Sequence, residues 1–149
     1  MAAGAPGSVL FACTNNVIRS PMAEGIARLL FGDRIYVTSV GIRAGGEPDH
    51  FAIEAMDELG IDMAKHEARS FDELQDTSFD LVISLSPEAR AKVAEFTRTI
   101  AADTEHWPLP DPSMVEGSRE VRMNAYRSVR DDLVMRIKKR LGASNAPVV

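Results

Sequence analysis

The chain has 149 residues, 45% of them hydrophobic and 26% charged, with a net charge of -5. That length and balance suit a single globular domain, and the acidic excess gives no long-range attraction for nucleic acid or an anionic membrane. The start, "MAAGAPGSVLFAC", lacks the basic residues of a signal peptide and the length of a membrane span, so a cytoplasmic location is expected.

In chain order, residues 1–7 read as a loose leader. "SVLFA" (Ser8–Ala12) is a short apolar run that predicts a buried parallel strand. After a loop, "SPMAEGIARLLF" predicts a helix with Ser20 as N-cap, Pro21 in its first turn, and Met22, Ile26, Leu29 and Leu30 on its apolar face. "RIYVTSV" (Arg34–Val40) is the second strand by its β-branched and aromatic content. "RAGGEPDH" (Arg43–His50) is a loop, and Asp49 caps a helix bearing Phe51, Ala55, Met56 and Leu59 that Gly60 ends. "SFDE" (Ser70–Glu73) has the form of a capping box.

"FDLVISL" (Phe79–Leu85) is the third strand, and Ser86-Pro87 opens a helix with Ala89, Val93 and Phe96 inward. "TEHW" (Thr104–Trp107) is a short fourth strand, followed by the loop "PLPDPS". The last helix covers 119–141, with Ala125, Val129, Leu133, Val134, Ile137 and Leu141 apolar, and residues 142–149 read as a flexible tail. Four strands alternating with helices predict an α/β fold, a parallel sheet with helices on both faces.

The loop after the first strand carries the chemistry. "CTNNVIRSP" (Cys13–Pro21) holds the sole cysteine, with Arg19 six positions on. Ligands of open parallel sheets bind beyond the carboxyl ends of the strands, and free N–H groups at a helix start attract anions. The same surroundings favour a thiolate over a thiol, and the guanidinium of Arg19 matches two phosphate oxygens. Asn15 and Asn16 tolerate the positive φ that curling such a loop requires. The spacing also fits a small buried residue beside a surface charge, so the strand, the Ser-Pro helix start and the paired asparagines carry the functional reading. His50, His66 and His106 show no metal-ligand spacing, and neither a metal nor a cofactor is expected.

"CTNNVIRSPMAEG" resembles the active-site loop of the low-molecular-weight protein tyrosine phosphatase family, C-x-G-N-x-C-R-S-P, and "TSVG", "GIDMAKHEARSF", "FDLVISL" and "DP" at Asp111–Pro112 sit where that family has similar segments. The resemblance implies a three-layer αβα domain over residues 1–149, strand order 2-1-3-4, with the phosphate-binding loop after strand 1. It implies a cysteine-dependent phosphomonoesterase: Cys13 as nucleophile, Arg19 clamping the oxyanion, Ser20 supporting the leaving thiolate and Asp111 as general acid and base. Thr14, Asn15, Asn16, Val17, Ile18 and Arg19 would bind phosphate, while Asn16, Ser39 and His66 would lock the loop.

Implied partners are a phosphorylated protein or small phosphomonoester, with inorganic phosphate as product; oligomeric state is left open. Asn15 stands where the family has glycine, and Ile18 where it has a second cysteine. The family's aromatic walls are missing: Arg43–His50 has no ring except His50, and Ser113 follows Pro112. Two other functions stay open: an arsenate reductase using an external small thiol, and a non-catalytic anion-binding or regulatory module.

Overall fold

The computed structural model describes residues 6–142. Its sheet has four parallel strands, β1 (Ser8–Cys13), β2 (Tyr36–Gly41), β3 (Leu81–Ser84) and β4 (Asp103–His106), in the order β2-β1-β3-β4. Four α-helices connect and cover them: α1 (Arg19–Phe31), α2 (His50–Asp57), α3 (Pro87–Phe96) and α4 (Arg119–Ile137). The expected α/β architecture and strand order are what the chain adopts.

Alternation along β1 explains the two-sided core. Val9, Phe11 and Cys13 face one cluster, with Met22 and Ile26 of α1, Met56 of α2, and Val129 and Leu133 of α4. Leu10 and Ala12 face the other, with Ala89 and Val93 of α3 and Phe71. The central strand is thus buried on both sides, and its last residue, Cys13, pairs in register with Gly41 at the end of β2. This places the loop after β1 at the carboxyl edge of the sheet, between neighbours on both sides.

Several local expectations shift. α1 begins at Arg19 with Ile18 at its N-cap position and no side-chain cap, so Ser20 lies inside the first turn and its hydroxyl serves other partners. Leu29 is exposed, because the buried stripe of α1 runs through Ala23, Ile26, Ala27 and Phe31 and leaves Leu29 beyond its edge. On α4 the inward positions include Met123 and Tyr126, whereas Ala125 is only half-buried, and the predicted last turn is a π-helical turn over Lys138–Gly142. Asp49 does cap α2, accepting from Phe51 and Ala52 N–H, and Gly60 adopts φ +76 just beyond it. Of the predicted leader, Pro6 is buried and Gly7 N–H donates to Asp80 Oδ2 at 2.6 Å, so these two residues are fixed; residues 1–5 lie outside the described residues. Of the predicted tail, Gly142 closes the π-helical turn and 143–149 lie outside them.

Candidate active site

Six consecutive peptide carbonyls after β1 are all satisfied, five of them from outside the loop. Cys13 O accepts from Ile42 N–H, Thr14 O from Arg43 N–H, Asn15 O from Gly45 N–H and Val17 O from Asp49 N–H, at 2.9–3.1 Å. Asn16 O accepts from His66 Nε2 at 3.0 Å, and Ile18 O starts the ladder of α1 through Met22 N–H. Among the described residues every peptide bond is trans, which sets each following N–H opposite its carbonyl. The amides of Thr14 through Ile18 therefore turn away from the partners that hold the carbonyls preceding them. Asn16 N–H reaches Cys13 Sγ at 3.3 Å. A curled run of amides at a helix start is an anion cradle.

The neighbouring loop packs this closely because of two glycines. A Cβ on Gly41 would lie 2.6 Å from Arg43 O and 2.8 Å from Asn16 N, and one on Gly45 would meet Asn15 Cβ at 2.7 Å. The left-handed residue is Asn16, φ 59, the only non-glycine with positive φ among the described residues. Asn15 stays outside that region, so its replacement of the family's glycine imposes no left-handed strain.

Asn16 is fully buried and uses its whole amide. Nδ2 donates to Ser20 Oγ at 2.8 Å and Ser39 Oγ at 2.9 Å; Oδ1 accepts from Arg69 N–H at 3.0 Å and from His66 Nε2 at 3.1 Å. Because both His66 contacts are acceptors, Nε2 carries the proton. The Ser39 hydroxyl donates to Glu24, a buried carboxylate that also pairs with Arg28 at 2.6 Å. Ser20 accepts from Asn16, so its hydroxyl proton is available to Cys13 Sγ at 2.8 Å or Val40 O at 3.3 Å. Cys13 is 2% exposed and ends the core-facing side of β1, yet its sulfur meets a hydroxyl and an amide there.

Replacing Asn16 with alanine is expected to destabilise the fold by about 3 kcal/mol, since it strips partners from buried groups and moves φ 59 onto a residue that resists it. Urea unfolding of the variant checks this; a loss below about 1 kcal/mol would show that the network holds nothing.

Burial pushes the His66 imidazole below its ordinary value, against the opposing pull of Glu24 and the Asn16 carbonyl. The folded protein therefore takes up this proton less readily than the unfolded chain, and stability falls as pH drops through the region below 6.5. Urea midpoints at pH 7.5 and 5.5 are expected to differ more for the wild type than for His66→Gln. Equal differences would remove His66 as their source.

Arg19, 9% exposed, directs Nη1 to Leu109 O at 3.1 Å. Asp111 lies two residues beyond, at the start of the 3-10 turn Pro112–Met114, where its Oδ1 accepts from Ser113 N–H at 3.0 Å and Ser113 Oγ at 2.6 Å. Tyr126, buried on α4, donates to Asp49 Oδ2 at 3.1 Å; burial, Asp49 and Asp111 together push its phenol well above the ordinary range. The predicted set thus divides: Cys13, Asn16, Ser20, Ser39 and His66 form one bonded network, whereas Asp111 stands apart from it, two residues beyond the Leu109 carbonyl that Arg19 holds. Thr14 directs its hydroxyl to Ser86 and Glu88, at 3.0 and 3.2 Å, and Val17 and Ile18 are half-buried, with Ile18 packed on the core.

Glu24, Arg69, Asp49 as a loop anchor and Tyr126 escaped the sequence reading. Only Asp49 left a signal, its helix cap. Among the described residues no group of three or more His, Cys, Asp or Glu side chains is placed to hold a metal, and no helix is long and apolar enough to cross a membrane.

The family model described as low molecular weight phosphotyrosine protein phosphatase matches residues 8–145. An arsenate reductase of Halalkalibacterium halodurans is 37% identical over 130 residues, 87% of this chain and 91% of that protein. Among solved structures, an arsenate reductase in the phosphate binding state superposes with TM-score 0.72 at 28% identity, covering 91% of this chain and 97% of the other. A tyrosine phosphatase of Erwinia amylovora superposes with TM-score 0.77 at 21% identity, covering 96% of each chain, a likeness of fold.

Proposed function

The chain belongs to the low molecular weight phosphotyrosine protein phosphatase family, and from that premise we propose that it is a cysteine-dependent phosphomonoesterase working through a phosphocysteine. The observation that carries this reading is the row of carbonyls from Cys13 to Val17, each bonded from outside the loop, which leaves the amides that follow them, with that of Arg19 at the helix start, to receive a tetrahedral oxyanion beside the sulfur.

In the proposed sequence the phosphoryl oxygens bind the amides of Thr14 through Arg19 and the Arg19 guanidinium. Cys13 sulfur attacks phosphorus, the S–P bond forms, the P–O bond to the leaving group breaks, and Asp111 supplies that oxygen with a proton. Water then attacks the phosphocysteine, giving Asp111 its proton back, and Ser20 O–H stabilises the departing thiolate. Phosphate leaves. Asn16, Ser39 and His66 act by keeping the loop curled. The site offers no aromatic wall: Tyr126 is buried and stacked on Phe51 at 5.3 Å, and Ser113 follows the acid. The reading is therefore phosphomonoester hydrolysis without a commitment to phosphotyrosine.

A second reading, arsenate reduction, is favoured by the names of the curated relatives, several of which are arsenate reductases at 33–37% identity. The opening attack by sulfur on a tetrahedral oxyanion is common to both. Reduction to arsenite then takes two electrons, which two thiols supply as they become a disulfide. This chain has one cysteine, so the second thiol would come from outside.

Assays of p-nitrophenyl phosphate hydrolysis and of arsenate-dependent oxidation of glutathione or mycothiol separate the readings. Hydrolysis without added thiol is expected. Thiol oxidation without hydrolysis would replace the proposal by the second reading, and phosphate binding with neither activity would make the protein an anion-binding module.

A further inference from the structure

Arg19 is engaged in the free protein in a way that oxyanion binding does not require. Its Nη1 is committed to the carbonyl of Leu109, and both residues are buried, at 9% and 5% exposure. The segment this bond holds is packed through the buried Trp107, Leu109 and Pro112, but few other hydrogen bonds tie its backbone to the rest of the fold. Pro108, Pro110 and Pro112 lack an N–H. Trp107 N–H donates to Ser84 O at 2.8 Å, and Leu109 N–H to Leu85 O at a long 3.4 Å. Past Leu109 the bonds turn inward on the segment itself, since Asp111 accepts from Ser113 and, through its carbonyl, from Met114 N–H.

We propose that Arg19 is also the positioning residue of the acid-bearing segment: its guanidinium straps Leu109, two residues before Asp111, to the loop that carries Cys13. This rests on the phosphomonoesterase reading. One planar group then serves two ends, holding the Leu109 carbonyl through Nη1 and leaving its other N–H groups for the oxyanion. Acid placement and oxyanion binding are coupled through it. A lysine has a single nitrogen and cannot span both.

The test is the leaving-group dependence of Arg19→Lys across aryl phosphates from p-nitrophenyl to phenyl, in the wild-type and Asp111→Asn backgrounds. Loss of an oxyanion donor alone costs about 10²-fold for every ester. With the strap lost as well, phenyl phosphate, which needs the acid more, falls roughly a further 10-fold, and that surplus vanishes in the Asp111→Asn background. The same factor along the whole series, or a surplus that persists without the acid, overturns the proposal.

Hydrogen exchange in the free protein supplies a readout independent of turnover. Amides of residues 107–114 are expected to exchange about 10-fold faster in Arg19→Lys, with those of β1 unchanged. Unaltered exchange in 107–114 overturns the strap even if the variant is inactive. Absence of any aryl phosphate hydrolysis by the wild type overturns the phosphomonoesterase reading instead, and the exchange result still decides whether Arg19 holds the segment.

Discussion

Cys13→Ser is expected to lower turnover of p-nitrophenyl phosphate by about 10⁵-fold while leaving the fold and phosphate binding intact. Serine is close to cysteine in size, and the position, 2% exposed between Val9–Phe11 and the loop, takes it without a cavity. The amide row of Thr14–Arg19 depends on carbonyl partners at Ile42, Arg43, Gly45, Asp49 and His66, none of which involves the sulfur. What disappears is the nucleophile, because an alcohol stays protonated where a thiol ionises. Phosphate binding is expected to hold, since the amides and the guanidinium proposed to receive the anion are unchanged. Initial rates with isothermal titration of phosphate measure the two effects separately. Undiminished turnover would mean that another group attacks phosphorus. Loss of phosphate binding with the fold retained would mean that the cradle is not preformed.

The second large effect is expected from Asp111→Asn: roughly 10²–10³-fold lower kcat for phenyl phosphate and a smaller loss for p-nitrophenyl phosphate, whose leaving oxygen needs the proton less. Asparagine can still accept from Ser113 N–H and start the turn Pro112–Met114, so the local structure survives the change. Its amide has no proton to give. Equal losses for both esters would show that a different group protonates the leaving oxygen. Tyr126 is the neighbour to examine then, although its buried phenol is already given to Asp49.

Both effects concern residues visible in the linear chain, and the reason is local. Cys13 and Arg19 announce themselves because a strand, a five-residue loop and a helix start are contiguous, and such punctuation is read from neighbours. Asp111 is marked by its flanking prolines. The Asn15 position shows where local reading stops: the residue that stands where the family has glycine stays out of the left-handed region, and its neighbour Asn16 occupies it. Ser20 looked like a helix cap and is instead the hydroxyl beside the sulfur. Each of those outcomes depends on a partner that no local pattern names.

By itself, then, the sequence determined the α/β alternation, the placement of the cysteine loop between the first strand and the first helix, and the identity of the thiol and guanidinium, all of which follow from hydrophobic periodicity and nearby turn residues. Only the tertiary structure decided which way the loop's amides point. That direction comes from bonds to β2's following loop and to His66. It also decided the partners of Asn16 at Ser39, His66 and Arg69, 23 to 53 residues away, and the bond from Arg19 to Leu109 across 90 residues. The physical reason is the strand order: with β1 between β2 and β3, distant segments meet at one edge of the sheet, and a hydrogen bond forms according to proximity in space, whatever the separation along the chain.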